Sequence, residues 1–173
     1  METIRIARPE DCAAIARVHV ESWRTTYKEF VPVKHHPSYD QRLNLWQQVL
    51  ATSSNESITL IAVNEQGQLV GFVNSGNSTN HDTLEYEVEL TAIYLLEEAQ
   101  RHGLGRRLLQ AFVEQLLQVG HHSMLLWVFA QNRTACHFYE SLGGMRIRTA
   151  QFPIGGASYE VIAYGWPDIS TLL

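Results

Sequence analysis

The chain has 173 residues, of which 45% are hydrophobic and 18% charged, with a formal net charge of −5. That length suits one domain spanning 1–173, large enough to bury most of its apolar surface, and the composition excludes a disordered segment. The acidic balance argues against a nucleic-acid partner and mildly favours a cationic one. No apolar run approaches membrane-spanning length and the opening residues alternate like a strand, so a cytoplasmic protein with no membrane partner is expected. Cys12 and Cys136 both fall in predicted helices and read as reduced, packed thiols.

In chain order, residues 3–7 read as a first strand. Pro9, Glu10 and Asp11 then open a helix, proline and acids standing where a first turn favours them, with Ile15, Val18 and Trp23 on its buried side. Residues 24–39, with two prolines and the His35-His36 pair, read as irregular. A second helix over 40–51 carries Leu43, Trp46, Val49 and Leu50. Stretches 58–63 and 69–74 form a hairpin about Asn64-Glu65-Gln66-Gly67. A strand over 86–96 follows, then a helix over 103–119, a strand over 124–129 and a helix over 132–142. Two strands near 145–152 and 158–165 end the series.

The passage 86–108 carries the most chemistry. Its strand is apolar apart from Glu89, Thr91 and the Tyr94 hydroxyl, the mark of a strand covered on both faces. The helix after it shows Leu104, Leu108, Leu109, Phe112, Leu116 and Leu117 on one stripe. Between them lies Gln100-Arg101-His102-Gly103-Leu104-Gly105. Glycines at the first turn of a helix let a ligand approach bare amides, and the helix dipole makes that point attractive to phosphate. A glycine pair also serves merely to permit a tight helix entry. A Walker A loop is excluded because Gly105 is followed by Arg106-Arg107, and a dinucleotide fingerprint because Leu108 stands where its third small residue belongs.

Taken in order, three segments supply the specificity: Glu89-Leu90-Thr91-Ala92-Ile93-Tyr94-Leu95; residues 100–105; and an apolar strand 124–129 followed by Asn132-Arg133-Thr134-Ala135-Cys136-His137-Phe138-Tyr139-Glu140-Ser141-Leu142-Gly143. Together they resemble the GNAT (GCN5-related) N-acetyltransferase family. Glu97 stands where the family often has proline, and Gly144 where it usually has phenylalanine. The resemblance implies an α/β (α+β) GNAT acyltransferase fold, a mixed twisted sheet flanked by helices on both faces. It implies transfer of an acetyl group from acetyl-CoA, as cosubstrate, to a primary amine by direct attack in a ternary complex. The acceptor would be a polyamine or other small amine, or a peptide or protein amine, with polyamines slightly favoured by the glycine loop. Relatives often dimerise, so a homodimer is compatible. A non-catalytic acyl-CoA-binding sensor is the other class of reading, and the presence of Tyr139 and Glu89 speaks against it.

The same resemblance assigns roles. Main-chain N–H groups of Arg101, His102, Gly103, Leu104, Gly105 and Arg106 would hold the coenzyme diphosphate, with Gln100 at the loop's entry. The side chains of Arg101, Arg106 and Arg107 either add charge or form a solvated rim. Ile93, Tyr94 and Leu95 would pair with the pantetheine arm like an added strand, where the family splays its sheet and a bulge offers an N–H to the acetyl carbonyl. Asn132 would touch pantetheine, cap its helix, or both. Tyr139 is the candidate general acid for the departing thiolate, with Phe138 beside it. Glu89 is the candidate base, because a charge flanked by Val88 and Leu90 calls for a role, although a structural ion pair would also account for it. Glu85 and Glu87 share its side of an ideal strand and stay open as alternatives. Trp23 and Tyr27, with Phe30, either line the acceptor pocket or pack the first helix. The histidine pairs 35–36 and 121–122 lack ligand spacing, so no metal is expected.

Overall fold

The computed structural model describes residues 1–52, 57–76 and 85–173. Among these, seven strands form one sheet: β1 (Thr3–Ile6), β2 (Thr59–Val63), β3 (Leu69–Gly76), β4 (Val88–Leu95), β5 (Met124–Phe129), β6 (Met145–Ile154) and β7 (Ala157–Trp166), in spatial order β1-β2-β3-β4-β5-β7-β6. Every neighbouring pair is antiparallel except β4 and β5, which run parallel. Parallel neighbours need a long crossover, supplied here by α3 (Leu104–Gln118). The other helices are α1 (Cys12–Tyr27), α2 (Tyr39–Ala51) and α4 (Arg133–Ser141). The fold is a mixed α/β sheet with helices on both faces.

Side-chain alternation assigns the helices to their faces. Phe72 of β3 and Tyr94 of β4 are register partners and meet His19 of α1, with ring centroids 5.3 and 5.1 Å away, and Trp46 of α2 packs on Phe72 at 5.0 Å. Leu95, the next residue on β4, points the other way and lies beside Gly105 of α3. The amphipathic stripe of α3 is buried as Leu104, Leu108, Leu109, Phe112, Val113 and Leu116; Val113 completes it, while Leu117 is only partly covered. On the same side α4 sets Tyr139 against Tyr164 and Trp166 of β7, at 6.0 and 6.2 Å.

Local chemistry explains most element ends. Ser38 caps α2 by accepting from Gln41 N–H (3.2 Å) while Gln41 returns a bond to Ser38 N–H (2.9 Å), a capping box. Gly144, which departs from the family pattern, is required because a Cβ there would lie 2.7 Å from the Trp166 ring. Two expectations need correction. The segment read as irregular from residue 24 is helical through Tyr27, and Pro9–Asp11 forms a separate 3-10 turn before α1. Asp11 serves that turn by accepting two bonds from Arg5 (2.8 and 2.9 Å) and one from Arg8 N–H (2.7 Å).

Candidate active site

Strands β4 and β5 are register partners only over Val88, Glu89 and Leu90, opposite Met124, Leu125 and Leu126. Beyond Leu90 they diverge, and β5 continues paired with β7 alone. On its other side β4 carries a bulge: Asn74 faces Ala92 and Ser75 faces Leu90, so Thr91 is the extra residue. The Thr91 hydroxyl pins the bulge by donating to Asn74 Oδ1 (2.7 Å), and Asn74 Nδ2 donates to Thr59 Oγ1 (2.8 Å).

The divergence leaves a free strand edge. Leu96 N–H donates to Val70 O (2.9 Å), so by antiparallel alternation Tyr94 also turns its amide and carbonyl toward β3. Ile93 and Leu95 turn theirs into the gap. Leu95 O is taken up by Gln100 Nε2 (3.0 Å) and Ser22 Oγ (3.3 Å), which tie the following loop and α1 to the end of β4. Of the three residues expected along a pantetheine arm, Ile93 therefore offers its N–H and carbonyl, Leu95 its N–H, and Tyr94 contributes its side chain elsewhere.

The glycine loop follows directly. Arg101 (φ 63°) and Gly103 (φ 81°) both occupy the left-handed region, and Gly103 is the N-cap of α3. Among the described residues, no N–H of residues 101–106 donates to a backbone or side-chain acceptor; the first to do so is Arg107, to Gly103 O (3.1 Å). Six consecutive amides thus remain free around a turn whose geometry only glycine adopts without strain at residue 103. A Cβ at Gly105 would sit 3.5 Å from Leu95 and 3.7 Å from Phe138, ordinary contact distances, so neighbouring protein does not demand glycine there. Free amides at a helix N-terminus with missing side chains fit a diphosphate. Leu104 is buried and anchors the loop, whereas Arg101, His102 and Arg106 are exposed. Arg107 is committed to Glu2 (2.8 Å), which removes it from the expected basic rim.

At the splay three tyrosines converge from three elements, Tyr27 and Tyr94 from the face opposite α3 and Tyr139 from the α3 face. Tyr27 of α1 and Tyr94 of β4 share a hydroxyl–hydroxyl bond of 3.1 Å. Tyr139 of α4 lies near enough to act electrostatically on both. Asn132 acts to lower the Tyr27 pKa and Trp23 that of Tyr94, each against the larger effect of burial; Asn132 Oδ1 caps α4 by accepting from Ala135 N–H (3.2 Å). Burial pushes all three phenols above the usual tyrosine range, so each stays protonated at neutral pH. Phe129 of β5 closes the wall, with Tyr27 and Phe30 at 5.3 and 5.8 Å.

The carboxylates separate cleanly. Glu89 pairs in register with Gly76 and Leu125. Gly76 shares a face with Asn74 and Phe72, which puts Glu89 on the tyrosine side of the sheet. Glu87 accepts from the N–H groups of His122 and Ser123, and those bonds hold its carboxyl below the usual range. Glu85 is exposed.

Three residues on this face escaped sequence reasoning: His19, Arg42 and Trp46. Trp46 Nε1 donates to His19 Nδ1 (3.1 Å), and burial lowers the His19 pKa to about 3. The signal that would have found His19 is the four-residue spacing of His19, Trp23 and Tyr27 along one helix stripe. Among the described residues, no group of three or more His, Cys, Asp or Glu side chains could hold a metal ion, and both cysteines are free and buried.

A mixed sheet that opens at one parallel pair, beside a helix with free N-terminal amides, defines an acyl-coenzyme-binding α/β protein. The profile of the acetyltransferase (GNAT) family matches residues 8–144. An uncharacterized N-acetyltransferase of Bacillus subtilis (strain 168), YuaI, is 40% identical over 99% of this chain and 96% of its own length. The L-amino acid N-acyltransferase MnaT of Escherichia coli (strain K12) is 27% identical over 91% of this chain and 86% of its own. The solved structure of YncA from Salmonella typhimurium, with its cofactor acetyl-CoA, superposes with a TM-score of 0.73 at 23% identity, covering 96% of this chain and 93% of that one. The chain belongs to the GNAT family and is an acetyl-CoA-dependent N-acetyltransferase, an acyltransferase enzyme.

Proposed function

We propose that this enzyme acetylates a small primary amine in a ternary complex, as one domain working in the cytoplasm, with coenzyme held on one side of the splayed sheet and acceptor on the other. The observation carrying this reading is the run of six free amides at residues 101–106 ending beside the open edge of β4. When bound, acetyl-CoA supplies an activated acetyl thioester. The amides of 101–106 hold its diphosphate, and the backbones of Ile93 and Leu95 pair with its pantetheine arm. Asn132 adds a contact there while capping α4. Backbone donors suit the task because they are fixed and lose little entropy on binding.

The remaining work falls to side chains. An amine of pKa about 10.4 is mostly protonated at neutral pH and must lose a proton before attack. Glu89, on the acceptor face, takes that proton directly or through water, freeing the nitrogen lone pair to form the C–N bond. As the C–S bond breaks, the acylated nitrogen sheds its remaining extra proton to solvent, while Tyr139 gives its phenolic proton to the departing sulfur and is reprotonated from solvent. Burial keeps that proton in place at working pH. Trp23 and Tyr27 line the acceptor side. MnaT acts on L-amino acids, which supports a small-molecule acceptor over a protein amine.

The test is release of free thiol from acetyl-CoA in the presence of individual amines. Amine-dependent release is expected; acetyl-CoA binding with no release from any amine would overturn the reading.

A further inference from the structure

Arg42 lies in the first turns of α2, one helical turn before Trp46, and is part-buried. Trp46, one turn on, is bonded to His19 and packed on Phe72, which brings this stretch of α2 over the Tyr94 face, and the Arg42 charge acts on both the Tyr94 hydroxyl and the His19 ring. None of the ion pairs among the described residues includes it, and its Nε is buried without a hydrogen-bond partner. The two groups its charge acts on are both neutral. His19 is held neutral by burial, as are Tyr27 and Tyr94. A guanidinium stays charged in proteins and offers five donors in a planar fork, and with only its Nε buried and unpartnered the fork's outer nitrogens are left for an anion. A second unpartnered donor lies on the same side of the sheet. Trp127 Nε1 is buried without an acceptor, and regular pairing of β5 with β7 puts Trp127 on the same face as Phe129, the acceptor face.

We infer that Arg42 reads a carboxylate carried by the acceptor. The preferred substrate is then an amine that also bears an acid group, an α-amino acid or similar small amino carboxylate, rather than a polyamine. Planar, bidentate recognition of a carboxylate is what the guanidinium fork is shaped for, and an all-cationic polyamine would meet a fixed positive charge on the face it must enter. The inference rests on the acetyl-transfer reading and narrows it to one substrate class.

The test compares thiol release from acetyl-CoA with methionine, methioninamide and spermidine, in the natural enzyme and in Arg42→Gln and Arg42→Lys. Methionine should exceed its amide in kcat/KM by ten-fold or more, with spermidine lower still. In Arg42→Gln that acid-over-amide ratio should collapse toward one; Arg42→Lys, which keeps the charge without the fork, should retain part of it. A general structural defect would lower both substrates alike and leave the ratio intact, and that outcome overturns the assignment. So does a natural enzyme that uses spermidine or the amide as well as the acid, while acetyl transfer itself would stand. No thiol release with methionine or any other amino acid, while some other amine supports it, overturns the assignment alone; no release with any amine overturns both readings.

Discussion

The two sides of the splayed sheet are built from different materials. On the coenzyme side the proposed contacts are almost all backbone: six amides around two left-handed residues, and the free edge of Ile93 and Leu95. On the acceptor side they are side chains brought from α1, α2, β4, β5 and α4. A backbone site depends on chain path and tolerates most side chains, which suits a ligand shared across a family. A side-chain site is rebuilt by single substitutions, which suits an acceptor that varies. The contrast predicts that substitutions on the two sides split into effects on coenzyme affinity and effects on turnover.

Tyr139 belongs to neither side alone, and its loss should be the most damaging. Tyr139→Phe removes the proton donor while keeping a ring to pack on Tyr164 and Trp166, so kcat should fall on the order of 10³-fold with acetyl-CoA affinity little changed. Equal losses in turnover and affinity would reassign it to binding. Glu89→Gln tests the acceptor side proper. Turnover should drop about 10²-fold and recover as pH approaches the amine's own pKa; a variant with an unaltered pH profile would make Glu89 a structural charge.

Gly103→Val tests the coenzyme side. A β-branched residue at φ 81° is strained by roughly 1–2 kcal/mol or more, and the turn should relax by redirecting its amides. Calorimetry should find acetyl-CoA binding weakened about 30-fold, while kcat at saturating coenzyme changes less. Unchanged affinity would remove the cradle from the account.

How much of each side could be read in advance follows from the same contrast. The glycine loop, the strand before it and the Asn132-to-Gly143 helix are contiguous stretches, so their order alone pointed to the family. The positive φ of Arg101 was hidden because nothing in an arginine announces it. Arg42 was hidden because it matters only once α2 crosses α1 and a Trp46–His19 bond fixes the crossing, a tertiary fact with no local signature, whereas His19 left a trace in its spacing with Trp23 and Tyr27. Glu87 and Glu89 were indistinguishable by alternation and were separated only by the turn at His122 and Ser123, whose amides claim Glu87.

His19 gives the acceptor side a stability signature that the coenzyme side lacks. Its pKa of about 3 in the folded protein lies below the unfolded value near 6.5. Between those values the unfolded chain binds the proton and the native one does not, so stability falls as pH drops through that window. From pH 7 to pH 5 the loss should be about 2 kcal/mol. Urea unfolding at the two pH values should show this loss in the natural protein and a smaller one in His19→Asn; equal losses would mean that His19 is not the group responsible.

The smallest expected effect is also the sharpest divider, because Asn132 stands at the seam between the two sides. Its Oδ1 caps α4 and its side chain acts on the Tyr27 hydroxyl electrostatically. Asn132→Ala should cost about 1 kcal/mol of stability through the lost cap and also weaken acetyl-CoA binding. Asn132→Ser restores a cap oxygen but has no carboxamide N–H to offer pantetheine. Stability should therefore return with serine while coenzyme affinity does not. If serine restores both, Asn132 acts on the coenzyme only by holding the start of α4 in place, and the coenzyme side is then backbone throughout.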